Sequence, residues 1–190
     1  MSLGAAALAT LLAANPAAAE LVTNGGFDVG TAGWVLADTD GFTFAFNEGN
    51  PGGALVLNNG PGPVPRASQA VDGLVIGTTY ALSFDAKSHY NCCNGVATPG
   101  ASARIDGNKF DFFIFNGQPW TQYSFSFTYA GLSNVLTLAS QDNGTDSDGE
   151  FDNVSLTAVA PVPLPGTALM MLSGLAGVGL ARRRVLQRAD

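Results

Sequence analysis

The stretch Phe151-Asp152-Asn153-Val154-Ser155-Leu156-Thr157-Ala158 places an aspartate in phase with two aliphatic residues. Read as a strand, it puts Asp152 on one face with Val154 and Leu156, and Asn153 on the other with Ser155 and Thr157. Asp152 then points inward at the edge of a core. An inward carboxylate must meet a cation, an arginine or backbone N–H donors, because a buried uncompensated charge is costly. Between Glu20 and Pro161 the chain holds only four basic residues, Arg66, Lys87, Arg104 and Lys109, against fourteen acidic ones, a net charge of −10. That scarcity favours a hard cation. Ca²⁺ takes about six to eight oxygens from carboxylates and carbonyls. The competing reading is a carboxylate that caps a local turn.

The other reactive side chains point to less. The loop QDNGTDSDGE carries Asp142, Asp146, Asp148 and Glu150. It holds a fragment of EF-hand spacing without the closing glutamate, so a solvated acidic turn is expected. Cys92 and Cys93 are the two cysteines of the chain, and they are adjacent. Exported, such a pair forms a strained vicinal disulfide or bridges two chains; otherwise the thiols stay free. Combined with His89, it lacks both the Cys-x-x-Cys spacing and the fourth ligand of a zinc site. There is one histidine, and no Gly-x-Ser-x-Gly, His-Glu-x-x-His or Walker-type loop. Paired carboxylates can cleave glycosides, but no two of the fifteen acids stand out. No catalytic residue is assigned. Sugar binding needs exposed rings to stack on and polar groups for the hydroxyls. Tyr90 and Trp120 are the ring candidates, with His89, Asn91 and Asn94 as polar neighbours, whereas Trp34 is expected in the core. Nucleic acid is excluded as a partner, because phosphate neutralisation needs clustered Lys and Arg.

Strands must position these residues. No useful run of apolar residues at helical spacing occurs in the middle of the chain. TYALSFDAK puts Tyr80, Leu82, Phe84 and Ala86 on one face, and QYSFSFTYA does the same for Tyr123, Phe125, Phe127 and Tyr129. Further strands are expected at ELVT, GWVLA, FTFAF, GALVLN, RASQAV, SARID, FDFFIF, NVLTLAS and EFDNVSLTAV, with turns at NNGPGP, VDGL, IDGN, FNGQ and DNGTDSDG. Nine to eleven short strands predict an all-β fold, an antiparallel β-sandwich or jelly roll.

The opening ELVTNGGFDVGTAGW and the closing FDNVSLTA together resemble the galactose-binding-like β-sandwiches, which include many carbohydrate-binding modules; TTYALSFDAKS and WTQYSFSFTYAG also fit. The resemblance spans most of residues 20–158. It implies a structural Ca²⁺ shared by the acid of the opening and the aspartate of the closing strand. The matching positions are Asp28 and Asp152, with the Gly26 carbonyl beside them and Glu48 as a third carboxylate.

The two ends read differently from the middle. Residues 1–19 are expected to be a signal peptide, with Leu3–Ala14 apolar, Pro16 breaking the helix and Ala17-Ala18-Ala19 offering a cleavage site before Glu20. The rival is a buried Ala-rich helix. Gly166–Ala181 is sixteen uncharged residues. As a transmembrane helix it spans roughly 24 Å, and snorkelling arginines with the apolar residues before it close the gap to a ~30 Å hydrocarbon core. Arg182, Arg183 and Arg184 then mark the cytoplasmic side. Val162-Pro163-Leu164-Pro165, the Gly- and Leu-rich stretch and the Arg cluster resemble a PEP-CTERM sorting signal, closest to its Val-Pro-Leu-Pro variant; Leu164 stands where Glu is usual and Gly166 where the variant often has Ala. The resemblance implies an exosortase-type processing enzyme, a transient inner-membrane anchor, and delivery to the surface or exopolysaccharide matrix of a Gram-negative bacterium. The expected organisation is thus 1–19 signal peptide, 20–159 β-sandwich ectodomain and 160–190 sorting signal. The expected function is non-catalytic surface or matrix association with polysaccharide. The alternatives are a glycan-acting enzyme or its accessory module, and a self-assembling structural protein.

Overall fold

The computed structural model describes residues 19–38, 43–57, 63–88, 98–114, 117–140 and 149–160. They contain strands and no helix. In chain order the strands are β1 (Val35–Ala37), β2 (Thr43–Gly49), β3 (Gly52–Leu57), β4 (Arg66–Ala70), β5 (Thr79–Ser88), β6 (Thr98–Ile105), β7 (Asn108–Ile114), β8 (Thr121–Thr128), β9 (Val135–Ser140) and β10 (Gly149–Ala158). They form two five-stranded sheets, β2-β3-β10-β5-β8 and β1-β4-β9-β6-β7, antiparallel throughout. The fold is an antiparallel two-sheet sandwich, as the alternation predicts.

Alternation builds the core between the sheets. Tyr80, Leu82, Phe84 and Ala86 of β5 all face inward, joined in the first sheet by Leu55, Leu57, Phe127, Phe151, Val154 and Leu156. The second sheet answers with Ala67, Ala101, Ala103, Ile105, Phe112, Ile114, Leu136 and Leu138. Small residues on β6 leave room for the rings of the facing sheet. Phe84 stands at the centre of these, with centroids of Phe112, Phe151, Tyr123 and Phe125 at 5.0, 5.8, 5.9 and 6.0 Å. Trp34 packs in the same core, 5.4 Å from Phe27.

Two local expectations change. Residues 20–23 make a single bridge, Glu20 to Thr157, instead of a strand. The Glu20 carboxylate replaces the ladder: it accepts from the N–H groups of Val22 (2.9 Å) and Leu156 (2.8 Å) and from the Ser155 hydroxyl. The second change concerns Asp152. On β10 it pairs with Asp85, but the next pair is Ser155 with Ser83, so β10 carries one extra residue. Asn153 absorbs the bulge with φ of 50°. The bulge resets the phase, so Phe151, Val154 and Leu156 all face the core. Asp152 therefore shares the outer face with Asp85 and does not point inward beside Val154.

Candidate ligand sites

The first site lies where the opening segment runs beside the closing strand β10. Asn24 organises that segment, donating its amide to the carbonyls of Gly30 (2.8 Å) and Ala32 (2.9 Å) and accepting the Trp34 indole N–H at its own carbonyl (3.2 Å). Gln69 on β4 behaves like a strand partner: it accepts from Thr23 N–H (2.7 Å) and donates to Thr23 carbonyl (2.8 Å). The Gly25 carbonyl then accepts the Val154 N–H at 3.0 Å, which docks the opening onto the closing strand.

That docking delivers Asp28 to Asp152. A Cβ placed on Gly26 would lie 3.5 Å from Asp28 Oδ2 and 3.9 Å from Asp152 Oδ1, so both carboxylates flank this glycine. The other oxygen of Asp28, Oδ1, accepts the Gly53 N–H at 3.2 Å. Asp152 is fully buried. It accepts the Asn50 N–H and, at 2.6 Å, the Asn153 N–H. Asp85 accepts the side-chain amides of Asn153 (2.9 Å) and Asn50 (3.2 Å). Of the three ways to satisfy Asp152, the described residues supply backbone donors, and no arginine contacts it. Burial pushes the Asp152 carboxyl above the usual carboxylate range, the two N–H donors partly offset this, and the charges of Asp85 and Asp28 push it further up.

A carboxyl raised by the fold stabilises the folded state while it is protonated, and that contribution is lost as pH rises through the raised pKa. The urea midpoint is therefore expected to fall as pH rises from about 4 to about 7, and less so in Asp152→Asn. Equal pH slopes in the two proteins would show that Asp152 carries no such charge cost.

The second site is the outer face of the second sheet. Cross-strand register there aligns Val35, Ser68, Thr137, Arg104 and Lys109 in one row, and Ala37, Arg66, Ala139, Ser102 and Asp111 in the next. Ser68 and Thr137 share a hydroxyl–hydroxyl hydrogen bond of 2.9 Å. An open depression of about 430 Å³ lies at one end of this face, lined by Arg104, Lys109, Thr137, Ser133 and Val135 and by the hairpin Asp106-Gly107. Both hairpin residues have positive φ, 51° and 75°, as a two-residue Asp-Gly turn requires. Burial opposes ionisation of Asp106, but the N–H groups of Ala130, Leu132, Ser133 and Gly131 outweigh it and hold its carboxyl below the usual range. Asp106 thus pins the 130–133 loop that rims the groove.

The sandwich fold has counterparts among solved structures. The chain is similar to Family 16 Carbohydrate Binding Module-2, with 21% identity and a TM-score of 0.53 over 72% of this chain and 99% of that one. It is also similar to TmCBM61 in complex with beta-1,4-galactotriose, with 14% identity and a TM-score of 0.51 over 74% and 99%. A third structure is the enzymatically active domain of tailspike protein 4 from bacteriophage CBA120, with 17% identity and a TM-score of 0.55; the chain covers it over 74% of its own residues but spans only 21% of that domain. Identities this low show a shared fold. No protein-family model and no curated protein matches the chain.

The structure places the sequence-derived site residues as follows. Gly26, Asp28 and Asp152 come together. Glu48 is exposed on β2 and, among the described residues, no hydrogen bond joins it to Asp28 or Asp152. Among the described residues no group of three or more His, Cys, Asp or Glu is arranged to hold a metal. A cation at Gly26 would thus draw on two carboxylates, with carbonyls or water completing its shell. Trp120 is half-buried, with the Lys87 ammonium 4.9 Å from its ring centroid. His89, Tyr90, Asn91, Cys92, Cys93 and Asn94 lie outside the described residues, as do Val162, Pro163, Leu164, Pro165, Arg182, Arg183 and Arg184. Sequence reading missed Asp85, which strand register sets opposite Asp152, Asn50 from the turn between β2 and β3, and Asn153 at the bulge. It also missed Arg104, whose one signal was its scarcity: a basic residue in a strongly acidic domain.

Proposed function

We propose that this chain is an exported, non-catalytic polysaccharide-binding protein of a bacterial surface or matrix. The observation that carries the reading is a polar groove on the outer face of a two-sheet sandwich that matches carbohydrate-binding modules over nearly their whole length. Hydroxyl and cationic side chains in one row offer the hydrogen bonds that sugar hydroxyls need. Trp120, Tyr90, His89, Asn91 and Asn94 are the further sequence candidates for sugar contacts. The opening and closing segments assign the sandwich to the galactose-binding-like jelly rolls. The terminal segments supply export: a signal peptide at 1–19, a transmembrane helix at 166–181, and a PEP-CTERM-like signal read by an exosortase-type enzyme.

Affinity electrophoresis of the detergent-solubilised protein through gels containing xylan, galactan or polygalacturonate tests the binding. Retardation by at least one polymer is expected. Migration unaffected by every polymer overturns the reading, and release of reducing ends assigns the chain to the glycan-acting enzymes instead. The intact mass of the protein recovered from cells tests export. It should lack both residues 1–19 and the segment after about Pro165.

A Ca²⁺ ion belongs to the same proposal. Asp28, Asp152 and the Gly26 backbone present the hard oxygens it takes, and a cation there would offset the burial, and the lesser repulsion from Asp85 and Asp28, that raise the Asp152 carboxyl. Millimolar Ca²⁺ is expected to raise the melting temperature at pH 7 in the wild type and not in Asp28→Asn. An equal rise in both proteins removes the ion from this site.

A further inference from the structure

Arg104 in the groove differs from the other basic residues of the domain. Arg66 is ion-paired with Asp38. Lys87 lies 3.1 Å from Glu150 and beside the Trp120 ring. Lys109 lies 2.8 Å from Asp111. Arg104 alone makes no ion pair among the described residues, although acids outnumber bases fourteen to four between Glu20 and Pro161. It is exposed near the end of β6, one strand in from the sheet edge, and lines the groove. Register sets it between Thr137 on β9 and Lys109 on β7. The one acid of the groove wall that faces the same loop, Asp106, is already engaged by the N–H groups of Ala130, Leu132 and Ser133.

A guanidinium is a planar fork that matches an oxyanion with two parallel hydrogen bonds. Left unpaired in a strongly acidic domain, it is a receptor for an anion brought by the ligand. The neighbouring Lys109 ammonium adds a second cation, and the Ser68–Thr137 pair adds hydroxyls along the same row. Strands lie about 4.8 Å apart, so the lining row from Thr137 to Lys109 extends roughly 10 Å, room for about two sugar rings.

We infer that this groove selects an acidic glycan, receiving the carboxylate of a uronic acid or a sulfate ester on Arg104. The inference rests on the polysaccharide-binding reading and specifies the ligand class. It is tested by affinity electrophoresis of the full-length protein in polygalacturonate, in the same polymer methyl-esterified, in a sulfated galactan and in neutral galactan. Retardation is expected in polygalacturonate or the sulfated polymer, which separates the two anion sources, and is expected to drop about tenfold or more in Arg104→Gln. Arg104→Lys should fall between the two proteins, since it keeps the charge and loses the fork. All three proteins should melt together, because the residue is exposed. Equal retardation by esterified and free polygalacturonate, or Arg104→Gln binding acidic polymer as well as wild type, overturns the inference. Binding to neutral galactan alone overturns it while sparing the broader function; binding to none of the polymers overturns both.

Discussion

Replacing Gly25 with alanine is expected to lower the urea midpoint more than almost any other single substitution in this domain. A Cβ there would sit 1.9 Å from the Val154 carbonyl oxygen and 2.9 Å from its carbon. Both are main-chain atoms of a central strand and have no rotamer to retreat to. The hydrogen bond from Val154 N–H to the Gly25 carbonyl, 3.0 Å, holds the two backbones at this separation. Relief therefore requires the opening segment to lift off β10, taking Phe27 and Trp34 out of the core. Overpacking a side chain in a core costs about 1–3 kcal/mol, and a backbone clash should exceed the top of that range, in a domain whose whole stability is of order 5–15 kcal/mol. The adjacent Gly26→Ala is the control, since its Cβ would meet nothing nearer than 3.5 Å. If the two variants have the same midpoint, the opening segment does not pack on the closing strand as described.

Truncating Phe84 to alanine is expected to cost about 3–5 kcal/mol, the range for a buried aromatic. Phe84 is fully buried, and its ring touches partners from both sheets, Phe112 across the core and Tyr123, Phe125 and Phe151 alongside. A cavity there is bordered by stiff rings that cannot all collapse toward it. Phe113→Ala on β7 is the matched comparison. Its side chain is half exposed on the outer face, and its loss should stay within about 0.5 kcal/mol. A Phe84 variant as stable as the Phe113 variant would mean that the sheets do not meet through this ring.

The fold was legible because alternation is a local signal. Tyr80, Leu82, Phe84 and Ala86 could be assigned to the core from spacing alone, and ten of the eleven expected strands form near their expected places. The exception, ELVT, shows where a local signal fails: the Glu20 carboxylate takes the donors a strand would have paired, and nothing in four residues announces that. The turn at Asp106-Gly107 was legible for the opposite reason, since two consecutive positive φ values demand such residues.

The sites were legible only in part. That Asp28 and Asp152 belong together came from a resemblance, and the physical basis is the Gly25–Val154 contact that joins the two motifs. The direction of Asp152 was misread because a bulge adds one residue without any mark in the strand pattern; pairing against β5 decides it. Asp85 and Asn50 reach that carboxylate from 67 and 102 positions away in sequence.

By itself, then, the sequence determined the class of structure, the core face of most strands, the acidic character of the domain and the unlike chemistry of its two ends, because each is written in residue type and short-range period. The tertiary structure decided which carboxylates converge, which side of the sheet Asp152 occupies, and that Arg104, with no ion pair among the described residues, stands beside Lys109 and Thr137 in a groove. Those facts depend on register and on a bulge, and both arise only when strands distant in the chain settle against one another.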